Sequence, residues 1–219
     1  MPDTVKLYAL DCAFLVDPVL FATYYAQQPP WRKDRIDGFK TAADRRLSLG
    51  AGILLQKALP GADLNAVLTG ENGKPYLKDA GVCFNLSHAG SYAVCAVGPD
   101  PGCDIEKIRP VREDVARRFF HPEEFALLQA EPDAAVRERL FFRLWTLKES
   151  YIKATGKGLS QPLGSFCVLW DEAGPFLKGL RDRYTLKEYA APEGYACAVC
   201  APAGSGFAEA IKYIHPEGE

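Results

Sequence analysis

The sequence predicts an α+β protein made of two similar halves, and three observations predict it. Tyr92-Ala-Val-Cys-Ala-Val and Tyr195-Ala-Cys-Ala-Val-Cys are near-copies; both read as strands, since small and β-branched apolar residues run on without a charge. Each is preceded by another strand, a turn and, further upstream, a long helix, which makes the copies a repeat of a larger unit. The strands also cluster instead of alternating one for one with helices, as they would around a parallel sheet. The division falls at 98–102, giving an N-terminal half 1–101 and a C-terminal half 102–219. Ligand sites are common at such a seam.

In chain order, 5–13 reads as a strand with Val5, Leu7 and Ala9 facing inward. Residues 17–27 read as a helix that ends before a turn at Pro29-Pro30. A basic run, Arg32-Lys33-Asp34-Arg35, leads to a longer helix over 42–59 carrying Arg45 and Arg46. Charges so placed also suit a solvated helix face. Gly73-Lys74-Pro75-Tyr76 reads as a turn, because Gly relaxes the backbone and Pro fixes it. Residues 82–97 are two strands joined near Ala89-Gly90. Asn85, Ser87 and His88 lie where the first of them ends, a place where polar side chains reach a ligand.

The strand Gly102-Cys103-Asp104-Ile105-Glu106 puts both acids on one face, because side chains alternate with a period of two. Carboxylates about 4 Å apart repel by about 4 kcal/mol at an effective dielectric near 20, and a cation removes that penalty. Oxygen donors without nearby Cys or His suit Mg²⁺ better than zinc. Residues 111–120 read as a helix. His121-Pro122-Glu123-Glu124 has the form of another helix start, in which Glu124 could simply favour the dipole. Beyond 155, strands are expected over 165–170, 184–190 and 195–201, followed by a tail.

The helix over 137–155 carries the densest chemistry. At about 100° per residue, Leu140, Phe141, Leu144, Leu147, Tyr151 and Ile152 share one arc beside Trp145 and should face a core. Glu149 and Lys153 fall together at the margin of that arc, spaced i,i+4, while Lys148 projects from within it. Gly156 suits the left-handed residue that stops a helix, and Gly158 permits a second tight turn.

Composition bounds the partners. With net charge −2 and dispersed basic residues, nothing suggests a nucleic-acid-binding polycation. No apolar run is long enough to span a bilayer, and the first residues lack a signal-peptide pattern, so a cytoplasmic protein without membrane contact is expected. The seven cysteines mostly sit in strand-like apolar sequence and read as small buried hydrophobes. One CxxC, Cys197 to Cys200, with only three histidines in the chain argues against zinc.

Taken together, Gly73-Lys74-Pro75, FNLSHAG from Phe84, GCDIEKI from Gly102, RRFFHPEE from Arg117 and FFRLWTLKESYIKATGKGLS from Phe141 resemble the 4′-phosphopantetheinyl transferases of the surfactin-synthetase-activating (Sfp) type. The resemblance runs from about Trp31 to Cys200. It implies a pseudo-twofold monomer that moves the phosphopantetheine arm of coenzyme A to a serine of an apo acyl or peptidyl carrier protein, releasing 3′,5′-ADP. By matched motif positions it implies Asp104, Glu106 and Glu149 as ligands of Mg²⁺, with Mn²⁺ as the alternative, and Lys148 and Lys153 on the phosphates. His88, Arg46 and, on an alignment shifted by one residue, Lys33 would meet the 3′-phosphate. Gly73, Lys74 and Pro75 would lie against the adenine, with Ser87 beside the phosphates. Glu149, Glu124 or a metal-bound water would accept the serine proton. The segment 111–125 would meet the carrier, with Arg112, Arg117 and Arg118 facing its acidic surface. Ala89 stands where relatives often have Ser, and Ser150 where many have Ala. A catalytically silent module that binds coenzyme A or a carrier, and a Mg²⁺-dependent phosphodiesterase or nuclease, are the competing expectations.

Overall fold

A computed structural model describes residues 4–78 and 81–216. Residues 1–3 and 217–219, at the ends of the two expected halves, lie outside the described residues. The N-terminal part runs β1 (Thr4–Asp11), α1 (Pro18–Ala26), α2 (Pro30–Asp37), α3 (Ala42–Ala58), β2 (Val67–Thr69), β3 (Pro75–Leu77), β4 (Cys83–Ala89) and β5 (Tyr92–Gly98). After the turn at 99–101 come β6 (Gly102–Lys107), α4 (Glu113–Phe119), α5 (Pro122–Ala130) and α6 (Ala134–Thr155). The chain closes with β7 (Val168–Asp171), β8 (Gly174–Leu177), β9 (Tyr184–Glu188), β10 (Tyr195–Pro202), β11 (Gly206–Phe207) and β12 (Lys212–Tyr213). The expected α+β class is what the structure shows. Among the described residues no helix is long and apolar enough to cross a membrane.

The two repeated sequences become the two central strands. β5 lies between β1 and β4, and β10 between β6 and β9, antiparallel to its neighbours in every case. One face of β5 contributes Ala93, Cys95 and Val97 to a core beneath α3, while Val94 and Ala96 point the other way. In β10, Ala196, Ala198 and Cys200 face α6, and Cys197, Val199 and Ala201 meet Val94, Ala96, Leu7 and Val5 between the two sheets. Both faces of both central strands are therefore covered, which is why their sequences show no polar alternation. The β4 and β6 edges meet through Asn85, whose Oδ1 accepts the Cys103 N–H at 2.9 Å. The tail returns to the first sheet, where β11 and β12 pair parallel with β1.

Two elements differ from expectation. The basic run is a helix, α2, because Pro30 at its first position has the right fixed φ and lacks only an N–H the helix would leave unpaired. It buries Ile36 and Arg32. The segment after 170, to which the sequence reading assigned no element, turns at Glu172-Ala173 and returns as β8. By contrast α6 follows its sequence closely, with Asp133 capping its first turn and Gly156 ending it at φ 66°. Phe141, Leu144, Leu147, Tyr151 and Ile152 are buried, with Leu140 and Trp145 packed against the same core.

β6 lies unusually close to α6. A Cβ on Gly102 would stand 2.0 Å from Ser150 O and 2.2 Å from Ala154 N, so only glycine lets strand and helix approach this far. That approach brings the Asp104–Glu106 face of β6 against the Glu149–Lys153 face of α6.

Candidate active site

A cleft of about 500 Å³ opens between residues of the 35–86 and 118–164 segments. The N-terminal half contributes Arg35 from α2, the 72–75 loop, and Asn85 and Leu86 from β4; the C-terminal half contributes Arg118, Phe119, Glu149, Ile152, Lys153 and the 156–164 segment. Gly73, Lys74, Pro75, Asn85, Arg118, Glu149 and Lys153, all singled out from sequence, line it. The loop is tied to the end of α6, because Asn72 Nδ2 donates to Gly156 O at 2.9 Å and Lys74 Nζ to Ala154 O at 3.2 Å. Lys74 also pairs with Asp100 at 2.7 Å.

Lys153 joins the halves chemically. Its Nζ donates to Asp104 Oδ1 at 2.7 Å and to Ser87 Oγ at 2.9 Å, and Ser87 Oγ donates to the same Asp104 oxygen at 2.7 Å. The other Asp104 oxygen, Oδ2, is buried and has no hydrogen-bond partner. Burial and the Asp104 charge push the Glu149 carboxyl up against the pull of Lys153. Glu106 is pushed up for the same two reasons, against Arg109 and Lys153. Burial draws the Lys153 ammonium down, but Asp104, Cys103 and Glu149 outweigh it and its pKa rises.

A buried carboxylate oxygen with nothing to accept from, flanked by two carboxyls whose ionisation it opposes, fits a divalent cation of the hard, oxygen-seeking kind. Asp104, Glu106 and Glu149 are the residues that would hold it.

His88 sits behind this cluster, edge-on to Phe39 with ring centroids 6.0 Å apart. Burial, then the charges of Arg32, Lys153 and Arg35, lower its pKa to about 4, so the imidazole is neutral near pH 7. Arg32 is itself buried and donates to Ser48 O. Arg32, Lys153 and Arg35 make the surroundings of His88 electropositive.

Four expected residues lie elsewhere. Lys148 does not reach the cleft: it is fully buried, donating to Glu124 Oε1 at 2.5 Å, Glu124 Oε2 at 2.7 Å and Phe166 O at 2.7 Å. Those three acceptors use all three of its protons. Glu124 is equally enclosed and also accepts from Val168 N at 2.6 Å and His121 N at 2.9 Å, so it has no access to a serine proton. Lys33 donates to Ala26 O at 3.0 Å and lies over the Tyr25 ring, because helical α2 turns it away and presents Arg35 in its place. Arg46 is half-buried on α3 and does not line the cleft.

The sequence reading passed over Asn72 and the 161–164 wall, and it named Arg35 only as part of the basic run. Arg35 was visible in the basic run, and its helical phase was the missing piece. Of the arginines expected to face the carrier, Arg112 pairs with Asp114 and Arg117 with Glu113. Arg118 instead lies over Phe119 and reaches the cleft.

A model of the 4′-phosphopantetheinyl transferase superfamily matches residues 100–200. The chain is 40% identical over 154 residues to 4′-phosphopantetheinyl transferase Sfp of Bacillus subtilis (strain 168), covering 68% of each chain. It is 45% identical over 137 residues to another Bacillus subtilis 4′-phosphopantetheinyl transferase, covering 60% of each. Against 4′-phosphopantetheinyl transferase HetI of Nostoc sp. (strain PCC 7120 / SAG 25.82 / UTEX 2576) the identity is 41% over 132 residues, covering 53% of this chain and 54% of that one. The chain thus spans roughly three fifths of the length of the curated relatives it matches. By this similarity the chain belongs to the 4′-phosphopantetheinyl transferase superfamily.

Proposed function

We propose that this chain transfers the 4′-phosphopantetheine arm of coenzyme A to a serine hydroxyl of an apo acyl or peptidyl carrier protein, releasing 3′,5′-ADP. The observation that carries this reading is the Asp104–Lys153–Ser87 cluster in a cleft built by both halves, with Asp104 Oδ2 left unpartnered. Hydroxyl attack on a pyrophosphate is slow because the phosphorus is shielded by negative oxygens, so the site must neutralise charge and align the reactants.

The half 1–101 supplies the nucleotide contacts. Gly73, Lys74 and Pro75 lie against the adenine, and His88 with Arg35 takes the 3′-phosphate. The half 102–219 supplies phosphate, metal and carrier contacts, and the two halves are related by a pseudo-twofold axis. Asp104, Glu106 and Glu149 would hold Mg²⁺ or Mn²⁺, which would supply positive charge to the pyrophosphate.

A P–O bond forms to the serine oxygen as the pyrophosphate P–O bond breaks, and the electron pair departs on the 5′-phosphate of 3′,5′-ADP. Lys153 stabilises that departing charge, and Ser87 orients Lys153. Glu149, whose carboxyl is biased towards protonation, accepts the serine proton. Arg118, with Val115 and Phe119 beside it, meets the acidic carrier surface. The same reading makes the protein a cytoplasmic monomer, in keeping with its seven free cysteines.

Intact-mass spectrometry tests this. Purified protein with Mg²⁺ and coenzyme A is expected to add one phosphopantetheine to apo carriers drawn from fatty acid, polyketide and nonribosomal peptide systems. No mass increase on any carrier would overturn the reading. Coenzyme A binding without transfer would mark a silent module, and 3′,5′-ADP release without a carrier would mark a hydrolase.

A further inference from the structure

Outside the cleft, His121, Glu123 and Cys167 bring one imidazole nitrogen, one carboxylate oxygen and one sulfur within 4.8 Å of one another; no other such His/Cys/Asp/Glu trio occurs among the described residues. His121 and Glu123 open α5, and Cys167 comes from the segment leading into β7. We propose that these three side chains bind a borderline-soft divalent cation, zinc being the best match, at a site separate from the acids of the cleft.

The donor set decides the metal. Thiolate, imidazole and carboxylate together suit zinc, whereas magnesium avoids sulfur and nitrogen. The geometry is close to what binding needs. His121 Nδ1 and Glu123 Oε1 stand 3.9 Å apart, and two zinc ligands with bonds of about 2.0–2.2 Å require only a small further approach. The groups that must move are weakly held. Glu123 N reaches His121 Nδ1 at 3.3 Å, longer than a strong capping bond. Glu123 is held by Lys178 at 2.7 Å, but that pair is about half exposed, and such pairs contribute little.

The sulfur is buried, while the His121 and Glu123 side chains, 30% and 44% exposed, leave an approach from solvent. Glu123, Glu124, Lys148 and Lys178 face the thiol. On binding, the thiol proton passes to solvent, the sulfur and the Glu123 oxygen take the metal, and Lys178 is released. Water completes the four-coordinate shell. The bound ion clamps the start of α5 to the segment just beyond Gly164, a residue of the cleft wall.

Cobalt(II) reads the site directly, because a cobalt–thiolate bond gives a near-ultraviolet charge-transfer band. The reduced full chain is expected to develop that band to saturation at one equivalent of Co²⁺, and Zn²⁺ is expected to abolish it. Cys167→Ser should show no band. His121→Asn, which keeps an N-cap acceptor but removes the imidazole, should weaken Co²⁺ binding by about tenfold or more. No band in the wild-type chain, or an undiminished band in folded Cys167→Ser or His121→Asn, would overturn the proposal.

Discussion

Two lysines five residues apart on α6 pair with carboxylates in different settings, Lys148 with Glu124 of α5 and Lys153 with Asp104 of β6. Lys148 and Glu124 are both 0% exposed, and between them they meet three backbone groups, Phe166 O, Val168 N and His121 N. Lys153 and Asp104 lie at the cleft, with Lys153 27% exposed and Asp104 Oδ2 unpartnered. The first pair is saturated and closed to any ligand. The second has capacity left over. What separates the closed ion pair from the open one here is a buried acceptor left without a donor, since the residue types are similar.

The largest expected effect is on stability. Lys148→Ala leaves Glu124 buried without its cation, and breaking such a pair costs about 3–5 kcal/mol, or a Tm fall of about 6–20 °C for a chain of this size. Calorimetry checks it. Lys153→Ala is expected to lower Tm by less than half as much while cutting transfer about 10²–10³-fold, the usual cost of losing a group that stabilises transition-state charge. Equal Tm losses in the two variants would erase the distinction between the pairs.

Gly102→Ala probes the contact on which the second pair depends. Its Cβ would strike backbone atoms of α6, so β6 must move, costing about 1–3 kcal/mol and pulling Asp104 away from Lys153. Transfer should fall more than stability does, as parallel assays of rate and Tm would show.

The smallest effect concerns His88. Its imidazole signals in a proton NMR titration should move with a midpoint of about 4, below the ordinary value for histidine. The sign follows from the depressed value: the unfolded chain binds this proton first as pH falls. The contribution to stability is therefore complete above about 6.5 and lost as pH drops through about 4. His88→Gln should flatten that part of the acid-unfolding profile.

Much of this was legible in the sequence, because short-range patterns carry it. The two repeated strands gave themselves away by lacking alternation, which double-sided burial requires. The spacing of α6 placed Lys148 inside the apolar arc, and the structure buries it there. Its partner was not legible, because Glu124 lies 24 residues away and resembled an ordinary first-turn acid. The exchange of Lys33 for Arg35 at the cleft has a similar origin. Composition marks a basic run, but only the helical phase set by Pro30 decides which of its cations points inward. The approach of β6 to α6 rests on one glycine whose importance appears only once the two elements are side by side.

The division of labour along α6 is tested most directly by the double substitution Lys148→Met with Glu124→Gln. The pair loses its charge, yet the amide oxygen introduced by Glu124→Gln can still accept from Val168 N. At a temperature where circular dichroism shows this variant folded, transfer to an apo carrier is expected to stay within about tenfold of wild type, because neither side chain reaches the reactants. A folded variant whose transfer rate has dropped by about 100-fold or more would contradict the account and return Lys148 to the chemistry.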